Sequence, residues 1–385
     1  MQYNTLDLFC GAGGLTLGMQ NAGLISIGAV EMDRFACQTF SANFADVPVY
    51  ERDVKSFSTS EIKDRFSGVD VIVAGPPCQG FSVAGPSQYG IIDNRNSLIM
   101  EVARFIDVIR PAICVLENVK GILHGKLSPK NRAIDEYVGT VERMGYHTRL
   151  FVLQTADFGV PQWRERVFIF AARKAKYLPL GIYEEFVQDK GKYWRTVWEA
   201  IGDLPQIDSG EGSEELMPYT CECQNEYQRK MRIHSPGVRN HVAMKHTPRL
   251  IERFKCINPG KSLVHVPPEH GQRRRNGQDL DVCMRFKMNN QRLELDKVST
   301  AITASFQSNF VHPILNRNLT AREGARLQSY PDRFVFCGPR TLMSKKLLMR
   351  EHREDEIGLS QYNQIGNSVP PLLAEVIGKA ILKRL

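Results

Sequence analysis

The 385-residue sequence lacks most of the features that would settle its class at a glance. No apolar run approaches the roughly 18 residues that a membrane-spanning helix requires, so no membrane partner is expected. Met1 to Leu6 show no basic stretch followed by an apolar block, so no secretory signal is expected either. The nine cysteines are odd in number and scattered, unlike a disulfide framework, which points to a reducing, cytoplasmic compartment. Cys221-x-Cys223 with Cys256 matches no standard zinc spacing, and no metal is expected. There is no internal repeat and no Gly-x-x-x-x-Gly-Lys-Ser/Thr phosphate loop. What is present is a globular composition, 42% hydrophobic and 24% charged. The length suits two domains, or one large domain with an insertion.

The net charge of +8 is unevenly placed. Between Asn225 and Thr300 there are 16 Lys and Arg against 7 Asp and Glu, which leaves the rest of the chain near neutral. A basic middle of this kind suggests a polyanion-binding region, although a solvated charged surface would have the same composition. Just before it, Asp203 to Glu226 holds seven acidic residues and no basic one, and reads as a loop.

The N-terminal half alternates strands and helices. Thr5 to Phe9 is a short apolar run entering a turn with Gly11, Gly13 and Gly14, and Leu15 to Ala22 is helical in pattern with Gly23 as its stop. Leu24 to Val30 is strand-like and ends at Glu31, and Val69 to Ala74 ends in Gly75-Pro76-Pro77-Cys78. Leu98, Val102, Phe105 and Ile109 mark one face of a helix over Ser97 to Ile109. A buried strand, Ile113 to Leu116, ends at Glu117; a helix over Arg132 to Met144 and strands at Arg149 to Leu153 and Val167 to Ala171 follow. This alternation predicts an α/β fold, a mostly parallel sheet with helices on both faces. After about Tyr193 the pattern breaks. Thr196 with Glu199 and Thr320 with Glu323 form capping boxes, Ser344 to Glu356 reads as a charged insertion, and Leu373, Val376, Ile377 and Ile381 mark a closing helix.

Several of these strand ends carry chemistry. The glycines after the first strand let the backbone turn tightly and approach a ligand, and Glu31, 20 residues beyond Gly11, can accept hydrogen bonds from ribose hydroxyls. Thr16 stands where a dinucleotide fingerprint has its third glycine, so a nucleoside without a pyrophosphate fits better than NAD or ATP. Gly75 to Ser82 (Gly-Pro-Pro-Cys-Gln-Gly-Phe-Ser) places Cys78 just past a central strand, where a thiolate could act as a nucleophile; elsewhere such a cysteine would merely be buried in a turn. Glu117-Asn118-Val119 offers a carboxyl that burial could keep protonated as an acid, or a simple helix cap. In Gln162-Trp163-Arg164-Glu165-Arg166 the two arginines at spacing two would share one face of a strand, to hold a base carbonyl, a phosphate or a thiolate, unless they form surface ion pairs. Trp194 and Trp198 read as packing residues, and Cys10, Cys37 and Cys114 as inert core cysteines.

Taken in this order, these segments resemble the cytosine-C5 DNA methyltransferase family over nearly the whole chain. Asp7 to Gly14 resembles its first S-adenosylmethionine motif, Gly75 to Ser82 its nucleophile loop, Glu117-Asn118-Val119 its acid motif and Gln162 to Arg166 its double-arginine motif. Ala301-Ile302-Thr303 resembles the segment that supports the flipped nucleotide, Arg317 to Asp332 the motif that organises the recognition domain, and Gly366 to Pro371 the last motif. The resemblance implies Cys78, Glu117, Arg164 and Arg166 as catalytic groups. It implies Phe9, Gly11, Gly13, Glu31, Asp53, Pro76, Leu98, Asn367 and Ser368 around the cofactor, S-adenosyl-L-methionine. Gln79, Ser82 and Thr303 would contact DNA. Arg273, Arg274 and Arg275, with His234 to His246, Arg249 and Arg253, are candidates from the basic stretch.

The implied fold is a Rossmann-like class I methyltransferase domain, residues 1–192 plus 358–385, with a smaller, irregular target-recognition domain and hinge at 193–357. The implied activity transfers a methyl group to carbon 5 of a flipped-out cytosine in a specific double-stranded DNA sequence, through a covalent Cys78 adduct. The first motif lies within ten residues of Met1. That layout is similar to bacterial modification enzymes and predicts a monomer that protects DNA from a cognate restriction endonuclease acting separately. A tRNA cytosine-C5 methyltransferase shares the catalytic motifs, but the Cys-Phe-Thr tripeptide usual in that branch is absent. A non-catalytic binding protein would be expected to lose Cys78, and an oxidoreductase to keep the dinucleotide fingerprint.

Overall fold

Seven strands form the central sheet of the first of two compact units into which the chain divides in the computed structural model. The structure describes residues 2–77, 97–125, 132–187, 193–271, 289–341 and 345–385. The first unit comprises Met1–Phe158, Arg164–Tyr193 and Ser368–Leu385; the second, Gly159–Trp163 and Trp194–Asn367. The chain thus re-enters the first unit at Ser368, later than the 358 expected from sequence.

The strands are β1 (Asn4–Leu8), β2 (Ile25–Glu31), β3 (Val49–Glu51), β4 (Val71–Ala74), β5 (Ile113–Val119), β6 (His147–Gln154), the two-residue β7 (Gln162–Trp163) of the second unit, and β8 (Glu165–Ala172). The sheet runs in the order β3-β2-β1-β4-β5-β8-β6, with β8 antiparallel to both neighbours and the other pairings parallel. The helices are α1 (Gly14–Ala22), α2 (Arg34–Asn43), α3 (Thr59–Phe66), α4 (Leu98–Ile109), α5 (Ala133–Arg143) and α6 (Ile182–Phe186). Those of the second unit are α7 (Val197–Ile201), α8 (Glu226–Arg232), α9 (Pro248–Lys255), α10 (Phe306–Asn309), α11 (Ala321–Leu327), α12 (Lys345–Arg350) and α13 (Gln361–Asn367). The chain closes with α14 (Pro371–Leu382) in the first unit.

Alternation along the strands builds a core on each face of the sheet. Leu6, Leu8, Ile72, Ala74, Cys114, Leu116 and Ile169 pack against α3, α4 and α5. Val71, Val73, Ile113, Val115, Phe168 and Phe170 pack against α1, α6 and α14. Helices α1 and α14 approach closely because small residues meet: a Cβ on Gly18 would lie 2.2 Å from the Ala374 Cβ, and one on Gly378 2.6 Å from that of Ala22. The closing helix expected from sequence is therefore locked onto the helix that follows the glycine turn. In the first unit four elements have no counterpart in the sequence reading, α2, β3, α3 and α6. Three-residue β3 is too short to show a period, whereas α3 carries a legible signal, the capping box of Ser58 and Glu61.

In the second unit the anticipated capping boxes of Thr196–Glu199 and Thr320–Glu323 are both formed. Every residue of α11 is buried although it carries two arginines and a glutamate. Each has partners: Arg326 meets Asp332 at 2.6 Å and Asp203 at 3.0 Å, and Glu323 takes Arg317 at 2.7 and 2.9 Å. Arg322 donates to the carbonyls of Arg239, Pro331 and Phe334. Buried charge persists only when paired or hydrogen-bonded, so these contacts specify one arrangement of α11. The stretch expected to be a loop, 203–226, holds two-residue strands at Gly212–Ser213 and Met217–Pro218. The charged insertion 344–356 contains α12, with Leu348 buried.

Candidate active site

The strand order reverses at β1, which lies between β2 and β4, so a crevice is expected beyond their carboxyl ends. Register brings those ends level: Leu8 pairs with Val30 and Ala74, and Ala74 with Leu116. The next residues along each chain are Phe9, Glu31, Gly75 and Glu117, which collects residues expected to bind cofactor and substrate at one edge of the sheet.

At the end of β1 the backbone enters the left-handed region three times, at Phe9 (φ 60°), Gly11 (φ 53°) and Gly13 (φ 94°). A Cβ on Gly13 would collide with the Phe44 ring at 2.4 Å, so glycine is required there for packing. A Cβ on Gly11 would meet nothing within 4 Å, so its requirement is conformational and its surface is open. The Gly11 N–H donates to Glu31 Oε2 at 3.0 Å, while Met32 and Asp33 N–H groups donate to Oε1 at 2.8 and 2.9 Å. Burial pushes the Glu31 carboxyl above its usual range against these three donors. Fixed this way, it keeps acceptor capacity for a hydroxyl.

Thr16, where the fingerprint glycine is missing, donates its hydroxyl to Asp7 Oδ2 at 2.7 Å. Asp7 is 2% exposed, its Oδ1 has no hydrogen-bond partner, and burial raises its pKa to about 7. The departure from the fingerprint thus marks a real contact. Asp53 caps a short turn through the Lys55 N–H at 2.9 Å and is exposed two residues beyond Glu51, the cross-strand partner of Glu31. Leu98 begins α4 and packs partly buried on the core; Asn367 ends α13 and is exposed; Ser368 is half-buried at the return to the first unit.

Glu117 and Arg166 come together from the antiparallel strands β5 and β8 as a pair at 2.8 Å, 8% and 9% exposed. Burial raises the Glu117 pKa more than Arg166 lowers it, which favours a proton-donating carboxyl. Glu117 Oε2 also lies 3.5 Å from where a Cβ on Gly75 would sit, against the backbone leaving β4. Asn118 holds that same exit, donating to the Pro76 carbonyl at 3.1 Å, a role sequence reasoning missed. Arg164 and Arg166 are both buried, whereas Glu165 between them pairs with Lys120 at 2.9 Å. Arg164 is held through its backbone, its N–H on Gln154 Oε1 at 2.6 Å. Cys78, Gln79 and Ser82 lie outside the described residues.

In the second unit Thr303 is exposed and accepts from the Asn309 amide at 3.0 Å. Arg273, Arg274 and Arg275 lie outside the described residues. Other members of the basic stretch have internal partners. Arg249 and Arg253 donate to the carbonyls of His270 and Gly271, and His241 is fully buried between Thr320 and the Pro205 carbonyl. His241 is thus structural, and part of the positive excess is occupied inside the unit. Trp194 packs edge-on against Trp163 with ring centroids 4.7 Å apart.

Comparison with known proteins finds that the family model for C-5 cytosine-specific DNA methylase matches residues 3–383. The type II methyltransferase M.DdeI of Desulfomicrobium norvegicum is 42% identical over 98% of this chain and 88% of its own length. M1.HphI of Haemophilus parahaemolyticus is 34% identical, covering all of this chain and 87% of its own. Among solved structures, an E. coli prophage-encoded protein assigned as a DNA modification methyltransferase superimposes with TM-score 0.74 at 25% identity over 99% of both chains. The S. pombe Dnmt2 methyltransferase superimposes with TM-score 0.61 at 14% identity over 99% of both, a likeness of fold.

Proposed function

The chain belongs to the C-5 cytosine-specific DNA methylase family and is a DNA (cytosine-5)-methyltransferase, and from that premise we propose how its residues act. Carbon 5 of cytosine is not nucleophilic until carbon 6 is attacked. Cys78 adds to carbon 6 as a thiolate, which makes carbon 5 electron-rich. Glu117, whose protonated form burial favours, donates to ring nitrogen 3 and holds the amino edge, so charge from the addition is neutralised where it develops. Arg166 pairs with Glu117 and, with Arg164, supplies positive charge for the carbonyl side of the base. Loss of the carbon-5 proton and expulsion of Cys78 then restore the ring. The observation that carries this reading is the buried Glu117–Arg166 pair set against Gly75, three residues before Cys78.

The residues of the glycine turn fit S-adenosylmethionine. Gly11 leaves an open surface, Glu31 is fixed with acceptor capacity to spare, and Asp53 is exposed near it. Asp7, Glu31 and Asp33 gather carboxyl groups at this corner, which suits a ligand carrying a sulfonium and an ammonium better than a pyrophosphate. When bound, S-adenosylmethionine supplies an electrophilic methyl group. Phe9, Gly13, Pro76, Leu98, Asn367 and Ser368 complete the proposed set.

The substrate is a specific sequence in duplex DNA, from which the target base must be flipped, at roughly a few kcal/mol. Gln79, Ser82, Thr303 and the basic run Arg273 to Arg275 supply DNA contacts in this reading. The relatives at 42% and 34% identity are type II methyltransferases, which supports a role in restriction–modification beside a separately acting endonuclease. A cytoplasmic monomer is proposed; no described helix is long and apolar enough to cross a membrane. The test is a duplex containing 5-fluorocytosine at the methylated site, located by bisulfite sequencing of DNA from an expressing host. The protein should form a covalent adduct with it that Cys78→Ala abolishes. Methyl incorporation into tRNA in preference to DNA would refute the reading.

A further inference from the structure

Gln162, which opens the double-arginine motif, has its side chain fully buried within the second unit, with every amide position used. Its Oε1 accepts from the Ile302 N–H at 3.0 Å, and its Nε2 donates to Gln328 Oε1 at 2.6 Å and to the Leu327 carbonyl at 3.1 Å. Gln328, also fully buried, donates its Nε2 to the Ile365 carbonyl at 2.8 Å. An amide in a protein can often be turned over without penalty, because oxygen and nitrogen have the same shape. Here the ends forbid it. Ile302 offers only a donor, and Leu327 and Ile365 offer only acceptors, so both amides can face one way alone.

The relay terminates on the segment that carries Thr303. On its inner side Ile302 is buried and held by Gln162; on its outer side Thr303 is exposed. Strand β7 pairs with Ser299–Thr300 just upstream. Downstream, Asn363 donates to the Ala304 carbonyl at 2.9 Å, and a Cβ on Gly366 would sit 2.2 Å from the Thr303 carbonyl oxygen. The segment is thus gripped by β7 and by α13, with the end of α11 holding Gln162 from behind, through groups that leave the Thr303 hydroxyl outward. Two apolar side chains would fill the same volume but would remove the bonds that Gln162 and Gln328 make to the Ile302 N–H and to the Leu327 and Ile365 carbonyls.

We propose that Gln162 and Gln328 are positioning residues that set the Ile302–Ala304 segment for the target DNA strand and so govern capture of the flipped base. This rests on the reading above that Thr303 contacts DNA. The relay acts on the DNA-dependent step and leaves cofactor affinity untouched.

The test compares wild type, Gln162→Met, Gln162→Glu and Gln328→Glu. It measures single-turnover adduct formation with the 5-fluorocytosine duplex, the fluorescence of a duplex with 2-aminopurine at the target position, and S-adenosylmethionine affinity by calorimetry. Gln162→Met should slow adduct formation and reduce the 2-aminopurine signal by about tenfold or more, the consequence of orphaning buried polar groups, with cofactor affinity unchanged. Gln162→Glu presents two acceptors to two acceptors when ionised, and its rate relative to wild type should recover as pH falls and the carboxyl gains a proton. Gln328→Glu keeps the acceptor for Gln162 but sets a carboxylate oxygen against the Ile365 carbonyl, so its loss should likewise shrink as pH falls; it decides the matter if Gln162→Met fails to fold. An unchanged adduct rate in a folded Gln162 or Gln328 variant, or a loss matched by weaker cofactor binding, overturns the proposal. Absence of any adduct in wild type would instead refute the catalytic reading itself, and the relay's role with it.

Discussion

Glu117→Gln separates the two things that the buried Glu117–Arg166 pair does. Glutamine keeps the shape and can still accept from Arg166 Nε at the 2.8 Å contact, but it has no proton to transfer. Arg166 is charged in both proteins, so its hydrogen bond stays within the range of about 1.5–3 kcal/mol for charged groups, toward the lower end with the neutral amide. With both side chains about nine-tenths buried, the variant should lose about 1–2 kcal/mol of stability, read as a few degrees of thermal shift. The rate should fall much further, by about 10²–10⁴-fold, the usual worth of a placed general acid. The wild-type rate should also decline on the alkaline side, as pH rises through the raised pKa of Glu117 and the donor is lost; the glutamine variant, having no proton to lose, should lack that limb. The assay is single-turnover methyl transfer to the cognate duplex over a pH series, beside thermal denaturation of the same samples. A glutamine variant within about threefold of wild type, below the lower bound for a general acid, would refute the assignment, as would an alkaline limb that survives the substitution.

Three further perturbations follow from the packing. Asp7 has a folded pKa of about 7 against an ordinary 3.8, so its ionisation destabilises the fold fully above pH 7 and not at all well below 3.8. The contribution is at most about 4 kcal/mol; Asp7→Asn should flatten stability between those limits, which denaturant titration at several pH values would show. Gly378→Val forces a Cβ into a site where one would lie 2.6 Å from the Ala22 Cβ, and overpacking of this kind costs about 1–3 kcal/mol. A matching fall in Tm is expected, and an unshifted Tm would mean that α1 and α14 are not packed as described. Arg326→Met takes the fully buried cation from Asp332, left with the Tyr219 hydroxyl, and from Asp203, left with Arg232, at up to about 3–5 kcal/mol. Urea denaturation should register that loss, and Arg326→Met with Asp332→Asn should recover part of it.

Much of the first unit was legible because its signals are local. Continuous apolar runs mark β4 and β5 and a helical stripe marks α4, each read within a dozen residues, as are the capping boxes that mark α7 and α11 in the second unit. The missed elements of the first unit, α2, β3, α3 and α6, are short or weakly patterned, although Ser58 and Glu61 announced α3. The candidate site was legible as motifs in order, and Glu117 was expected as a buried acid. The second unit was harder, because its interior is polar: a basic stretch read by composition as a surface for polyanions includes His241, Arg249 and Arg253, which bond inside the unit. Composition counts charges, and burial decides which of them face water.

The sequence by itself determined the class of chemistry, since the order of Cys78, Glu117 and the arginines is a one-dimensional fact, and it determined the alternation that makes the parallel sheet. Only the tertiary structure decided which groups act on one another. Glu117 meets Arg166 because β8 runs antiparallel to β5, Asn118 holds Pro76 across two strands, and Gln162 faces Gln328 from 166 residues away. The physical reason is that hydrogen bonds and ion pairs depend on distance and direction in space. A buried polar group must find its partner wherever the fold brings one, and sequence spacing carries no record of it.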